Sequence, residues 1–158
     1  ERQTLFWFSP VVQTMEFHPD NCPIYVWDFG GTHFYGFPDF GTGVKVSRMH
    51  NGVLADPDLI VRKVGPDDEG PVRKFLNKYI PLANGNLVSA TVCMFTNTPD
   101  LDFVLDNHPI YPNVLIASPC SGHGFKFSSV VGEILADLIT EGKTNFDLDR
   151  FKLGRFDI

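Results

Sequence analysis

The residues with the most chemical character in this 158-residue chain lie in one short run, Ser121-Gly122-His123-Gly124. Two glycines let backbone N–H groups come close to a ligand. An apolar helical pattern follows at once, and its positive dipole end would stabilise an anion or an electron-rich ring edge. The same spacing also serves a tight strand-to-helix turn with no ligand. A hydrolytic Ser121–His123 pair is the poorer reading, because no G-x-S-x-G elbow surrounds the serine. Cys22, Cys93 and Cys120 are odd in number and share no C-x-x-C spacing, which argues against a disulfide framework or a four-ligand zinc site. At least one thiol is free, in keeping with reducing surroundings. His108, His123, Cys120 and Asp106 are metal ligands by type, but no two share ligand spacing on one element, so no metal is expected.

The elements that must position these residues are legible as alternating runs and turn signals. Leu5-Phe6-Trp7-Phe8 stops at Ser9-Pro10. Ile24-Tyr25-Val26-Trp27 and His33-Phe34-Tyr35-Gly36-Phe37 flank Gly30-Gly31, a hairpin signal. With the short run Val44-Lys45-Val46, this first part reads as antiparallel β. Asp67, Asp68 and Glu69 precede Pro71, which is placed in a first helical turn. Val72, Phe75, Leu76 and Tyr79 then follow at helical spacing, and the pattern stops at Pro81. Strands are expected at Leu87–Phe95, Phe103–Asp106 and Val114–Ala117, the last a wholly apolar run of the kind buried on both faces. A helix with Val130, Val131, Ile134, Leu135 and Leu138 on one face closes the pattern, with Gly142 as its stop. Strand, glycine turn and helix in succession form the usual ligand site at the carboxyl end of a strand.

Composition narrows the partners. The net charge of −6 leaves no basic face for nucleic acid, and an acidic membrane surface is equally excluded. No apolar run approaches the ~18–20 residues of a spanning helix, and no basic start leads into an apolar leader, so a cytoplasmic protein is expected. Fifteen Phe against four Tyr and two Trp is a heavy load.

The run from Ser121 through Lys126 and Phe127, continuing by Val131-Gly132-Glu133-Ile134-Leu135-Ala136-Asp137-Leu138 to Phe151 and Arg155-Phe156, resembles the C-terminal end of monomeric sarcosine oxidases. The N-methyltryptophan and pipecolate/sarcosine oxidases share it, all within the D-amino-acid-oxidase-like flavoproteins. Cys93-Met94-Phe95-Thr96-Asn97-Thr98-Pro99-Asp100, with Asp106-Asn107-His108-Pro109, looks like that family's covalent-flavin segment. Tyr35-Gly36-Phe37-Pro38 and Val44-Lys45-Val46 look like its substrate-domain hairpin.

The resemblance implies an α+β chain: an antiparallel substrate-domain sheet over residues 1–86, then the C-terminal strand-turn-helix part of a Rossmann-like FAD domain over 87–158. Family members are roughly twice as long, and the G-x-G-x-x-G of their first half does not occur here. It further implies FAD joined through Cys93, with Met94 beside it, and Gly122, His123 and Gly124 along the flavin's pyrimidine edge. Lys45 would sit over the flavin as the cation that stabilises reduced oxygen, and Lys126 would hold the substrate carboxylate. By residue type alone, Cys93 is a small buried hydrophobe, Lys45 and Lys126 are solvated, and His123 caps a turn.

Two positions depart from the family. Phe95 stands where a Tyr is usual, and the family's active-site His falls on Met49, with His50 one place further on. These changes favour a bulkier or less polar N-substituted amino acid than sarcosine. The expected partners are therefore an amino-acid substrate, oxygen, and either a missing N-terminal half or a second copy. The alternative is a truncated, non-catalytic fragment or split-gene subunit that holds no flavin alone.

Overall fold

The computed structural model describes residues 1–13, 15–50 and 53–156. The chain divides into two compact units, Glu1–Met94 and Phe95–Ile158. The break falls later than the sequence patterning places it, because Leu87–Met94 pairs along its length with the first strand.

The first unit is a five-stranded antiparallel sheet with one helix. Its strands are β1 (Arg2–Phe8), β2 (Tyr25–Phe29), β3 (Thr32–Phe37), β4 (Val44–Met49) and β5 (Leu87–Met94), in the order β2-β3-β4-β1-β5. The hairpin between β2 and β3 turns on Gly30 and Gly31, both at positive φ (58° and 92°). A two-residue turn whose twist matches the flanking strands requires positive φ at both positions, which glycine adopts without steric cost.

Successive side chains alternate between faces, and residues directly opposite in register share one. Phe6 and Phe8 of β1 are fully buried with Val44 and Val46 of β4. Against them lies helix α1 (Pro66–Tyr79), which buries Val72, Phe75 and Leu76. The Phe75 ring stacks on Phe34 with centroids 4.4 Å apart, and Trp27 meets it edge-on at 5.7 Å. Much of the phenylalanine surplus is therefore core: Phe6, Phe8, Phe17, Phe34, Phe75 and Phe103 are all buried.

Helix α1 starts at Pro66, so Pro71 lies inside the helix and not at its start. Its ring costs one hydrogen bond, to the carbonyl of Asp67 in the first turn, where the loss is least disruptive. Asp68 closes that turn by accepting from the Gly65 amide at 2.9 Å. The same carboxylate binds Arg2 through both oxygens, at 2.5 and 3.1 Å, while Arg2 also donates to the carbonyls of Val61 and Lys63. Further along the helix, Arg73 stacks on Phe8 and pairs with Glu69.

The second unit pairs β6 (Val104–Asn107) antiparallel with β7 (Leu115–Ser118) and adds α2 (Ser128–Thr140). Leu105, Val131 and Ile134 form its core, joined by Leu138, Leu148 and Phe151. The helix ends before Gly142, at φ 70°. β7 is not buried on both faces as its apolar run suggests: Ala117 is exposed and Leu115 only half-buried, and the core of this unit gathers on Leu105 of β6 with Val131 and Ile134 of α2. Arg155 ties the chain end to Asp100 through two hydrogen bonds, at 2.6 and 3.1 Å.

The Arg2 guanidinium holds the Asp68 carboxyl below the ordinary carboxylate range. A depressed acid contributes its full stability above the unfolded value of about 3.9 and loses it as pH falls through the folded value. Asp68→Asn is expected to lower unfolding free energy by about 2 kcal/mol at neutral pH, with the gap to the wild type closing in acid. Urea titrations at neutral pH and well below the carboxylate range check this.

Candidate functional site

The sheet of the first unit has a second face, opposite the one α1 covers. Register places Trp7 opposite Lys45 and Gln3 opposite Cys93, with β1 between the two partner strands. Phe37 and Tyr35 extend the same face across β3, opposite Lys45 and Ser47. The Lys45 ammonium consequently stands among three rings, 4.8 Å from the centroid of Phe37, 5.4 Å from Trp7 and 5.8 Å from Tyr35. Aromatic faces attract a cation, while partial burial lowers the Lys45 pKa. Burial likewise pushes the Cys93 thiol up, and Lys45 acts through space to pull it down. Lysine and thiol are thus electrostatic neighbours on one face.

Gln3 is 1% exposed on that face. Its amide nitrogen donates to Glu1 at 2.8 Å, and its Oε1 is buried without a hydrogen-bond partner. Met49, opposite His33, shares the face of Lys45. His50 turns off the strand end at φ 52°, and its Nδ1 lies 3.2 Å from Glu1 Oε2. The face therefore carries Met49, with His50 held at its end. Met94 alternates to the other side of β5 from Cys93 and is exposed.

The second unit carries the glycine turn. Ser121 and Gly122 are both left-handed, at φ 49° and 79°. A Cβ on Gly124 would fall 1.5 Å from the Pro119 carbonyl oxygen, and one on Gly122 would fall 2.5 Å from the Phe95 ring. Packing within the turn thus demands both glycines. Internal bonds run from Ser121 N to Thr96 O and from His123 N to Cys120 O, whereas the Gly122 and Gly124 amides have no backbone acceptor among the described residues. Phe95 forms a wall against Gly122. Lys126 is exposed, its ammonium 5.4 Å from the Phe127 ring centroid, and Phe125 is 94% exposed.

Sequence reasoning missed the aromatic surround of Lys45, the buried Gln3 and the Ser121 hydroxyl contacts. Only the i, i+2 spacing of Tyr35 and Phe37 signals the first of these. A surface cleft lined by Met15, Phe17, His18, Asp39 and Phe40 contains none of the expected site residues. Among the described residues no group of three or more His, Cys, Asp or Glu side chains is arranged to hold a metal ion, and no helix is long and apolar enough to cross a membrane.

The first unit thus presents a lysine among three aromatic rings and a thiol on one sheet face, and the second a glycine turn built on left-handed backbone. The chain belongs to the FAD dependent oxidoreductase family, whose pattern it matches over residues 2–138. It is 55% identical over 125 residues to monomeric sarcosine oxidase of Bacillus sp. (strain NS-129), covering 77% of this chain and 32% of that protein. Monomeric sarcosine oxidase of Streptomyces avermitilis is 40% identical over 156 residues, covering 96% of this chain and 41% of the relative. N-methyl-L-tryptophan oxidase of Shigella dysenteriae is 38% identical over 129 residues, covering 80% and 34%.

Among solved structures, Amadoriase I of Aspergillus fumigatus, a fructosyl amine: oxygen oxidoreductase, superposes with a TM-score of 0.68 at 27% identity, over 90% of this chain and 34% of that one. L-proline dehydrogenase of P. horikoshii shares the fold, with a TM-score of 0.80 at 23% identity over 99% and 39%. The chain thus spans about a third to two-fifths of the curated relatives it matches. The first unit offers the unpartnered Gln3 carbonyl, the Cys93 thiol and the Lys45 cation on one face, a set with the hydrogen-bonding and ionic character that a polar cofactor ring requires.

Because Lys45 pulls the Cys93 thiol pKa down, Lys45→Met should slow alkylation of Cys93 by iodoacetamide roughly two- to tenfold. Lys45→Arg should leave the rate near wild type. Rates measured with Cys22 and Cys120 replaced by serine check this.

Proposed function

We propose that this chain is the C-terminal part of a flavin-dependent amine oxidase acting on a secondary amino acid, N-methyl or otherwise N-substituted. In the wider family assignment, the observation that carries this reading is Lys45 and Cys93 on one sheet face, a cation and a thiol held within electrostatic reach. FAD, when bound, would supply the two-electron redox chemistry that couples oxidation of the amine to an imine, which water would hydrolyse, to reduction of oxygen to hydrogen peroxide.

Cys93 holds the cofactor through its sulfur. Lys45, its charge favoured by three aromatic faces, stabilises negative charge building on oxygen. Gly122, His123 and Gly124 would line the ring edge, where the Gly122 and Gly124 amides could donate to it. Lys126 binds the substrate carboxylate. Phe95 supplies an apolar wall, and Met49 places a thioether where the family pattern expects an imidazole, so the pocket favours a less polar amine than sarcosine. The first unit is then part of a substrate domain, and the second the returning end of a flavin domain.

The full-length protein is expected to show flavin absorbance near about 450 nm that stays with the denatured polypeptide, and Cys93→Ser is expected to release it. Lys45→Met should slow reoxidation by oxygen about 10²–10³-fold while leaving anaerobic reduction by an N-methyl amino acid largely intact. A full-length protein without flavin absorbance overturns the reading. The 158-residue chain alone, lacking any G-x-G-x-x-G, is expected to give no peroxide from N-methyl amino acids.

A further inference from the structure

We infer that His123 carries its ring proton on Nδ1 and presents Nε2 as a hydrogen-bond acceptor, so that the ligand group it takes is an N–H or O–H donor. His123 Nδ1 lies 2.9 Å from the backbone oxygen of Ser121. A carbonyl oxygen only accepts, so the proton of that hydrogen bond belongs to Nδ1. In the neutral ring, Nε2 then holds the lone pair. This is the reverse of the tautomer that free histidine favours. Nε2 itself makes no hydrogen bond among the described residues.

The carbonyl is aimed by an unusual residue. Ser121 is fully buried and sits at φ 49°, a left-handed conformation that non-glycine residues rarely adopt. Its hydroxyl holds it there, donating to the Asp102 carbonyl at 3.2 Å and accepting from the Thr98 amide at 3.3 Å. The Thr98 hydroxyl lies 3.3 Å away, with the Asp102 carbonyl at 2.7 Å and the Asp100 carboxylate at 2.9 Å sharing its single proton. Two hydroxyls converging on one carbonyl fix the Ser121 peptide plane, and with it the direction of the oxygen that meets the imidazole. Phe103, buried, stacks on the ring at 4.8 Å with 30° between planes, which fixes the remaining rotation. Ser121 and Thr98 are thus positioning residues for His123.

The tautomer follows from the turn alone. The choice of ligand rests on the flavin reading, under which the group of matching chemistry is the imide N–H of the isoalloxazine ring. His123 would then fix the ring by accepting a hydrogen bond while neighbouring amides donate.

The 158-residue chain labelled with ¹⁵N-histidine tests the tautomer directly, in a long-range ¹H–¹⁵N spectrum at about pH 8, above the ordinary imidazole range. His123→Asn identifies the resonances. A protonated, pyrrole-like Nδ1 and an unprotonated, pyridine-like Nε2 are expected; the reverse assignment or an averaged pair overturns the inference. Thr98→Ser should keep the pattern and Thr98→Val should average it. An unchanged spectrum in a folded Thr98→Val chain removes the positioning role. In full-length protein carrying Cys93→Ser, FAD methylated on its imide nitrogen should bind about tenfold more weakly than FAD. Equal binding overturns the ligand class, whereas a full-length protein that takes up no flavin defeats the oxidase reading and leaves the tautomer standing.

Discussion

Everything in the first unit hangs on the register of β1. It is the one strand with a described partner on each side that comes from a distant part of the sequence, β4 on one edge and β5 on the other. A slip of one residue would exchange its two faces. Phe6 and Phe8 would leave the core, and Gln3 and Trp7 would enter it. The register is held from the core side by Phe6 and Phe8 and from the strand's start by Arg2 clamped to Asp68. Hydrophobic packing on one side of the sheet therefore decides which chemical groups meet on the other.

The two faces place opposite electrostatic demands on the chain. The α1 face is nearly all apolar; Arg2 is paired there and Arg73 stacks on Phe8, while the Nε of Arg48, opposite Phe34, is buried without a hydrogen-bond partner. The other face gathers a lysine and a thiol under partial burial, which drives both towards neutrality. Each opposes that drift in the other, since a nearby cation favours a thiolate and a nearby thiolate an ammonium. The aromatic rings around Lys45 add attraction without adding a competing charge or a hydrogen-bond acceptor.

Local signals were readable where one residue type has a single physical use. Gly30-Gly31 marks a two-residue hairpin because its turn needs positive φ, and the spacing from Val72 to Tyr79 marks a buried helix face. Reading stalled where several uses compete. Pro71 suits a helix start, yet the helix begins at Pro66, because Gly65 and Asp68 close the first turn there. The apolar Val114–Ala117 run looks buried on both faces, whereas what packs over each face of the sheet sets its exposure. The phenylalanine load has no single use either: six of the fifteen are buried in cores, while Phe40 and Phe125 are exposed. The aromatic surround of Lys45 was invisible because Trp7, Phe37 and Lys45 lie on three strands, and only register unites them. Ser121 is the sharpest case: a serine before a glycine suggests a nucleophile or an ordinary turn, and no local rule signals a buried hydroxyl holding a left-handed backbone.

The central place of β1 also has a consequence in time. Its partners begin 42 and 85 residues further along the chain, at Val44 and Leu87. At synthesis rates of about 5–20 residues per second, the second edge of β1 waits roughly 4–17 s for its partner. For that interval a strand bearing Leu5, Phe6, Trp7 and Phe8 has an unpaired backbone edge and no complete core to cover it. Pairings between residues so distant in sequence form slowly. During synthesis, the strand that fixes the finished sheet is thus the segment most dependent on a chaperone's cover.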